Sequence, residues 1–292
     1  MVRVDINELL PEIPSPDWEK LSDDSAVGEA AFELLKAAAV YAHLAAGLLP
    51  TSGYTRDEAI LGGLVVKVSK LGKAMAAMSA HLGSDRQLAL AREVIEALAI
   101  LEYLIADTDG ARFDQYIQDS LVAEREFLRL INKNIEGRGS SWSIEESMTR
   151  SIQRTARDAG VADVMTLPAR RAIGWPSTEL LLDLLGPNLY PSYRTGSSVL
   201  HTRWLDLLRH HIRREDDGTF ALHLEDDRPR AEPLYGVGVL IVDGVRRYLE
   251  RVRPDALPRF TVGLDRLEQD FVQLVRVHSE MLDGGPDDNL AG

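Results

Sequence analysis

Apolar residues recur every three or four positions along most of this chain, the spacing that places them on one face of an α-helix. Four such stretches come before residue 136, and short segments rich in turn-forming residues separate them. They cover residues 26–49, 56–82, 85–106 and 112–135. Helices joined by short connections usually lie antiparallel, so these four predict an up-and-down bundle.

The second stretch also carries a signal for its own beginning. Thr55 stands just before it, and Glu58 follows three residues later. In this arrangement the threonine hydroxyl and the glutamate carboxylate each bind a backbone N–H group that the helix leaves unpaired. The pattern predicts a helix that begins at about residue 56.

Helical periodicity resumes after the sequence GRGSSWS at residues 137–143, which interrupts it and is typical of a linker. Five further helices are predicted, at residues 143–158, 177–185, 191–214, 234–251 and 261–282. Apolar and polar residues alternate around Phe220 and Leu222, which predicts a short hairpin or extended segment near residues 217–226. The sequence therefore predicts an all-α fold, a multi-helix bundle of about eight to nine helices with one such segment.

The same signals divide the chain into five parts. They are an N-terminal extension (1–25), a helical bundle half (26–136), a linker (137–143), a basic helical half that packs on the first (144–283) and a disordered tail (284–292). The tail is predicted to be disordered because it has few apolar residues and is rich in Gly, Asp and Pro.

Composition narrows the class of protein. The chain has 292 residues, of which 45% are apolar, and it contains no cysteine. A core of ordinary size is available, and disulfides and thiolate metal sites are excluded, which suits a reducing compartment. The most apolar stretch contains Glu33, Lys36 and His43, so it predicts a buried helix rather than a membrane span. Charges and prolines stand where a signal sequence would be apolar, so a cytoplasmic location is expected.

The formal net charge is -13, which opposes nonspecific binding to DNA and to anionic membranes. Residues 150–214 differ, since they carry ten arginines, no lysine and five acidic residues, a local balance of +5. The planar guanidinium binds phosphate and carboxylate groups through two donors, so this segment is a candidate RNA-binding region. The alternative is that codon preference supplies the arginines and that they only pair with surface acids.

The helix predicted at residues 85–106 is apolar on almost every side, yet three polar residues share one stripe of it. Glu96 follows Arg92 by four residues, and Tyr103 follows Glu96 by seven. Arg92 and Glu96 can pair with each other on a partly exposed face. If they are buried they need further partners, because burying a charge without a partner is costly.

A second polar group lies in the sequence YPSYRTGSSVLHTRW, residues 190–204. Arg194, Ser197 and His201 recur at helical spacing, so one face would present a guanidinium, a hydroxyl and an imidazole. Gly196 lowers helix propensity, which indicates that another helix or a ligand approaches closely there. The group is either a working site or a helix start with capping serines and a histidine satisfied by a carboxylate.

Several chemistries have no counterpart in the sequence. The glycine-rich motifs that bind nucleotides, the HExxH zinc motif and the GxSxG nucleophile motif are all absent. His210 and His211 adjoin Arg209 and Arg213, a poor setting for a metal cation. No cofactor and no metal is therefore expected.

Together the two polar groups resemble a widespread bacterial all-helical family of unknown function, over residues 87–251. The resemblance rests on an R-x-x-x-E helix and a later Y-R-x-x-S-x-x-x-H-x-x-W motif. In this chain the motif residues are Arg92, Glu96, Tyr193, Arg194, Ser197, His201 and Trp204. The resemblance implies that the family shares these residues up to His201, without assigning them a role.

A second resemblance is carried by Arg194 and His201, which have six residues between them, and is to HEPN proteins, helical bundles that include ribonuclease toxins and antiphage effectors. It implies metal-independent RNA cleavage and a homodimer that completes the site. His201 would act as general acid or base, and Arg194 would neutralise phosphate charge. The chain departs from the pattern at Thr195, where Asn, Asp or His is typical.

Three functions follow as alternatives. The first is a HEPN-like ribonuclease or RNA-binding component of a defence or toxin system, with Arg194 and His201 as catalytic residues. The second is a non-catalytic helical interaction or scaffold protein, in which the polar residues form a buried network. The third is a pocket for a small anionic ligand. The binding or network residues are Arg92, Glu96, Tyr103, Tyr193, Ser197 and Trp204.

Overall fold

The computed structural model describes residues 10–48, 53–79, 84–187, 189–201, 204–225 and 227–284. The α-helices in these ranges are α1 (Asp24–Ala46), α2 (Arg56–Ser79), α3 (Ser84–Ile105), α4 (Ala111–Arg138), α5 (Ser143–Asp158), α6 (Arg170–Ile173), α7 (Thr178–Asp183), α8 (Leu189–Leu200), α9 (Trp204–His210), α10 (Ala231–Val252) and α11 (Leu257–Gly284). Short 3-10 helices lie at Trp18–Lys20 and Val164–Thr166. The all-α prediction is confirmed, although ten of these helices have six residues or more, slightly above the predicted eight to nine.

The predicted hairpin is present, but it begins before residue 217. β1 (Ile212–Arg214) pairs antiparallel with β2 (Phe220–Leu222). Gly218, with φ at 86°, adopts the left-handed conformation in the turn between them. β1 occupies the end of the long helix predicted at residues 191–214, which is instead α8, α9 and this strand. Periodicity missed the strand because its pairing partner lies outside the local pattern.

The chain divides into two compact units. The first comprises residues 1–105 and 178–292. Within it α10 packs on α1, α2, α3 and α11, and α3 also packs on α7 and α8. Its fully buried side chains include Leu34, Tyr248, Phe260 and Phe271. α10 is therefore the central helix of this unit.

The second unit comprises residues 106–177, in which α4 packs on α5, on α6 and on the second 3-10 helix. Its buried core residues are Leu121, Leu128, Ile131, Ile152, Ala156 and Val164. Arg125 is also buried, and its Nη1 donates hydrogen bonds to the carbonyl oxygens of Leu167 and Pro168 at 2.7 and 2.6 Å. These bonds compensate the burial of the charge.

The predicted domain boundaries stay predictions. The two units defined by contacts between residues do not coincide with the two predicted helical halves, residues 26–136 and 144–283. The up-and-down bundle predicted for the first four helices is wrong because α4 belongs to the second unit. The apolar faces of α1, α2 and α3 are instead completed by α10 and α11, from the far end of the chain. Local periodicity identifies an apolar face without identifying the helix that covers it.

The capping box predicted at the start of α2 is confirmed. The Thr55 backbone N–H donates to Glu58 Oε2 at 2.8 Å, and the Glu58 N–H donates to Thr55 Oγ1 at 3.3 Å. The bonds from Thr55 hold the pKa of the Glu58 carboxyl below its ordinary value. The helix therefore begins where the sequence placed it.

Charged residues interrupt even the apolar helix α1, where Glu33 and Lys36 pair at 2.9 Å. In the described ranges, no helix combines the length and the apolar content needed to cross a lipid bilayer.

Two glycines of α10 allow a matched test of core packing. A Cβ atom at Gly238 would lie 2.1 Å from Cζ of the fully buried Phe271, whereas one at Gly236 would meet nothing within 4 Å. We expect Gly238→Ala to lower the free energy of unfolding by about 1–3 kcal/mol, because the ring must move within a packed core. Gly236→Ala should raise it by up to about 1 kcal/mol through helix propensity. Urea denaturation followed by circular dichroism measures both, and equal effects would contradict this packing.

Candidate functional site

The close contact between α8 and α3 is made by Gly196. A Cβ atom at this position would lie 2.4 Å from the carbonyl oxygen of Leu88 and 2.7 Å from Cβ of Arg92. Only a residue without a side chain lets the two helices approach so closely. The close approach predicted at Gly196 is confirmed, and another helix makes it.

Arg92 organises the polar residues beside this contact. Its Nε donates to Ser197 Oγ at 2.8 Å, and its Nη2 donates to the Tyr193 hydroxyl at 2.7 Å. The Tyr193 hydroxyl donates to Glu96 Oε2 at 3.4 Å, and Arg92 Nη2 lies 3.3 Å from the same oxygen. Arg92 Cζ also lies 4.6 Å from the centroid of the Tyr193 ring. We call these four residues the Arg92 network.

Two members of the Arg92 network, Arg92 and Tyr193, are largely buried. The Tyr193 residue is 9% exposed, and the Arg92 side chain is 19% exposed. The guanidinium uses Nε and Nη2 to bind neighbouring side chains, and it forms an ion pair with Glu96, whose side chain is 38% exposed. Hydrogen bonds of this kind hold α8 against α3.

Arg194 and His201 are not part of this network. Arg194 is exposed, with Cζ 5.9 Å from the centroid of the Tyr190 ring. His201 is exposed just beyond the end of α8, and its backbone N–H donates to the Ser197 carbonyl oxygen at 3.2 Å. The predicted joint role of Arg194, Ser197 and His201 stays a prediction, and of the three only Ser197 belongs to the Arg92 network. Close packing at Gly196 turns Ser197 toward α3 and leaves the other two in solvent.

The remaining predicted residues lie elsewhere. Tyr103 is half-buried on α3, about 16 Å along the helix from Arg92 at 1.5 Å per residue. Trp204 begins α9, is 58% exposed and meets the Phe220 ring edge-on with centroids 5.9 Å apart. The structure thus groups Arg92, Glu96, Tyr193 and Ser197, and it places Tyr103 and Trp204 apart from them.

Two adjacent histidines end α9 in an acidic environment. His210 Nδ1 forms a hydrogen bond with Asp227, and His211 Nε2 lies 3.9 Å from Asp206 Oδ2. Asp206 is buried, and its Oδ1 has no hydrogen-bond partner in the part of the chain described. No three histidine, aspartate or glutamate residues among those described are arranged to hold a metal ion.

The sequence analysis missed a second group of polar side chains, whose hydrogen bonds join three helices of the first unit. His278 on α11 is 3% exposed, with Nδ1 3.4 Å from the Tyr235 hydroxyl of α10 and Nε2 3.2 Å from Asp24 Oδ1 of α1. Burial, reinforced by the charge of Glu232, raises the pKa of Tyr235, so this hydroxyl keeps its proton at neutral pH. In the tautomer of His278 that carries its proton on Nε2, Tyr235 donates to Nδ1 and Nε2 donates to Asp24.

One signal in the sequence could have identified this hydrogen-bonded group. His278 continues the apolar stripe of α11 that contains Phe271 and Leu274, both fully buried. A polar residue on such a stripe needs buried partners. The identity of those partners is not a local property, since Asp24 and Tyr235 come from distant parts of the sequence.

A sequence model of a family of unknown function, DUF5677, matches residues 58–219. This agrees with the predicted resemblance to a family of unknown function, although the matched range begins and ends earlier than the predicted 87–251. It contains the Arg92 network, Arg194 and His201, and it does not contain Asp24, Tyr235 or His278. No curated protein and no solved structure matches the chain significantly.

The Arg92 network predicts a measurable contribution to stability. We expect Arg92→Leu to lower the free energy of unfolding by about 1–3 kcal/mol, because it leaves the Tyr193 and Ser197 hydroxyls without their donor. The matched control is Arg86→Leu on the same helix, whose guanidinium is mostly exposed and lies 3.4 Å from Asp85. This control should change stability by less than about 1 kcal/mol. Urea denaturation measures both values.

Amide hydrogen exchange gives an independent check on the same pair of variants. Arg92→Leu should accelerate exchange within α8 more than within α10, because only α8 loses its attachment. Equal stability losses in the two variants, or unchanged exchange in α8, would contradict this account of Arg92.

Proposed function

We propose that this chain, which belongs to the DUF5677 family of unknown function, is a non-catalytic helical interaction protein that binds a partner protein through α9 and the hairpin. The observation that carries this proposal is a set of large apolar side chains exposed on these elements. We call them the apolar surface: Trp204, Leu205, Leu208, Phe220, Leu222 and Leu224.

The apolar surface consists of large side chains that are usually buried in a folded protein. Leu222 and Leu224 are 75% and 88% exposed, and the Trp204 and Phe220 rings meet across α9 and β2. Each Å² of apolar area left in water forgoes about 25 cal/mol of stabilisation. Contiguous apolar side chains on the outside of a folded protein mark sites of protein interaction.

The Arg92 network fits this function better than it fits catalysis. Its hydrogen bonds attach α8 to α3 directly before α9 begins. A rigid attachment lowers the conformational entropy that α9 and the hairpin lose when a partner binds. In this proposal the network residues are positioning residues for the apolar surface.

A crosslinking experiment tests the apolar surface in the cells that make this protein. A photoreactive residue replaces Leu222 or, as the control, Val262, which is 80% exposed on α11. We expect a discrete crosslinked partner from position 222 and none from position 262. Identical products from the two positions would contradict the proposal.

The affinity between this protein and the purified partner is then measured. If the partner is a second copy of the chain, the affinity of self-association is measured instead. We expect the Phe220→Ser and Leu222→Ser double variant to weaken binding at least tenfold, because it removes apolar contacts from the surface. Val262→Ser should leave the affinity unchanged. Unchanged binding by the double variant would overturn the proposal.

We also propose a second candidate, a HEPN-like, metal-independent ribonuclease or RNA-binding component of a cytoplasmic defence or toxin system. It is supported by the solvent exposure of Arg194 and His201, which leaves both side chains accessible to RNA. His201 would remove or deliver the proton of a ribose or leaving-group oxygen, and Arg194 would neutralise phosphate charge. Other arginines of residues 150–214 would contact the RNA backbone, and a homodimer would complete the site.

The ribonuclease candidate predicts cleavage of RNA in EDTA by the wild type. His201→Ala and Arg194→Ala should each lose this activity without a change in the circular dichroism spectrum, because both side chains are exposed. Arg259→Ala, on the exposed side of α11, is the matched control and should retain the activity. Absence of cleavage by the wild type, or equal cleavage by all four proteins, would remove this candidate.

A further inference from the structure

The hairpin that carries part of the apolar surface is the only sheet in the described chain, and it has two strands. Its ladder is hydrogen-bonded at both ends. The Glu215 N–H donates to the Thr219 carbonyl oxygen at 2.9 Å, and the His223 N–H donates to the His211 carbonyl oxygen at 2.9 Å. Hydrogen-bonded pairs alternate with unbonded pairs along an antiparallel ladder. On β2 the bonded positions are therefore residues 219, 221 and 223, and Phe220 and Leu222 lie between them.

The backbone of β2 presents hydrogen-bonding groups on its outer side. At unbonded positions of a ladder the N–H and C=O groups point away from the paired strand, so those of Phe220 and Leu222 point away from β1. Neither backbone forms a hydrogen bond with another part of the described chain. α9 packs on β1, which leaves β2 as the outer strand. A strand with such unpaired backbone groups is a template for a further strand.

The side chains of β2 lack the features that usually protect an outer strand. Proteins protect such strands with a lysine, a proline or a bulge. β2 (Phe220–Leu222) contains no lysine or proline, and its register with β1 has no bulge. Alternate residues of a strand share a face, so Phe220 and Leu222 lie on one side, with Leu224 two residues further on, and all three are exposed. Unpaired backbone groups and exposed apolar side chains are the two features that bind an added strand.

Acidic residues lie at both ends of β2. Three precede Gly218, at residues 215–217, and three follow Leu224, at residues 225–227, whereas residues 215–227 contain no lysine or arginine. Arg213 of β1 already pairs with Glu215 at 2.9 Å. A strand added to β2 would lie about 5 Å from it and about 10 Å from β1, where salt screens the arginines of β1. The charge along this edge therefore favours basic residues at both ends of the added strand.

A second copy of this chain does not have that charge. Two copies of β2 would place Phe220 of one copy opposite Leu222 of the other, because these residues have the outward backbone groups. The same register places Asp217 of each copy opposite Glu225 of the other. Like charges directly opposite each other destabilise a sheet. Charge complementarity therefore favours a different protein as the occupant.

We propose that the partner of the apolar surface adds a β-strand to the outer edge of β2. This inference rests on the proposed interaction function and specifies the chemistry of the partner. The partner provides an extended segment with apolar residues at alternate positions and a lysine or arginine at each end. Its backbone exchanges hydrogen bonds with Phe220 and Leu222, and its basic residues lie near Asp217 and Glu225.

A synthetic peptide tests the proposal. In antiparallel pairing, the positions opposite Glu225 and Asp217 are the two ends of a nine-residue segment. The probe is therefore the acetylated and amidated peptide Lys-Val-Thr-Val-Thr-Val-Thr-Thr-Lys, which places a valine opposite each of Leu224, Leu222 and Phe220. Calorimetric titration of the full chain should show saturable binding of this peptide.

Two control peptides test the charge and the backbone bonds. The peptide with glutamate at both ends should bind about tenfold more weakly, because acids then face acids. Replacing the valine opposite Leu222 by proline should also weaken binding about tenfold, because proline has no N–H to donate. Absence of saturable binding by the lysine peptide, or equal binding of the lysine and glutamate peptides, would overturn the proposal.

Amide hydrogen exchange of the wild type identifies the mode of binding. The N–H groups of Phe220 and Leu222 should become protected when the lysine peptide is bound, because they then donate to it. The Ala221 N–H faces β1 and should change little, which makes it the internal control. Unchanged exchange at Phe220 and Leu222 with the peptide bound would overturn strand addition. Protection of both without peptide, in a protein that sediments as a dimer, would identify a second copy as the occupant and overturn the proposal.

Two substitutions at Leu222 separate the backbone from the side chain. Leu222→Ala removes apolar contacts and should weaken binding of the lysine peptide severalfold. Leu222→Pro also removes the outward N–H and should weaken binding about tenfold beyond Leu222→Ala. Proline is compatible with this position because the N–H faces away from β1, and unchanged exchange at Ala221 confirms that the hairpin is intact. Equal affinities of the two variants would overturn the proposal.

The crosslinking experiment at position 222 separates this inference from the proposed function. A crosslinked partner that leaves amide exchange at Phe220 and Leu222 unchanged would keep the apolar surface as a binding site and overturn strand addition alone. Identical crosslinked products from positions 222 and 262 would contradict the interaction function itself.

Discussion

The backbone contact between α8 and α3 at Gly196 is the constraint on which the outer part of the first unit depends. α9 has one buried residue, Asp206, and neither strand of the hairpin has any. These elements bury few residues of their own, and α8, which packs on α9, is itself attached to α3. Arg92 strengthens that attachment because its guanidinium reaches Tyr193 and Ser197 on successive turns of α8. Gly196 thus permits the close approach of the two helices, and Arg92 forms hydrogen bonds beside their contact.

The two polar groups of this unit join different sets of helices. The Arg92 network joins α3 and α8 through bonds from Arg92 to Ser197 and Tyr193. The hydrogen bonds from Asp24 through His278 to Tyr235 join α1, α11 and α10. Hydrogen bonds between side chains of different helices fix how those helices pack. Polar residues on an apolar helix therefore need their partners identified before a role can be assigned.

The sequence predicted the parts of the structure that depend on neighbouring residues. It located the helices and the capping box, and it identified Arg92, Glu96, Tyr193 and Ser197 because they interrupt apolar patterns. It could not show that Arg194 and His201 lie outside the Arg92 network, since the approach of α8 to α3 depends on contact with Leu88 about a hundred residues earlier. For the same reason it missed β1, whose strand partner is not visible in helical periodicity, and the histidine of α11, whose partners lie on α1 and α10.

The central position of α10 also affects the order in which the protein can fold. α1, α2 and α3 leave the ribosome well before α10, and synthesis of the intervening residues takes on the order of ten seconds. During that time their apolar faces lack the helix that covers them. Many contacts of the first unit join distant parts of the sequence, a topology that slows folding. The nascent chain is therefore expected to depend on chaperones, or on transient packing among the first three helices, until residue 252 has emerged.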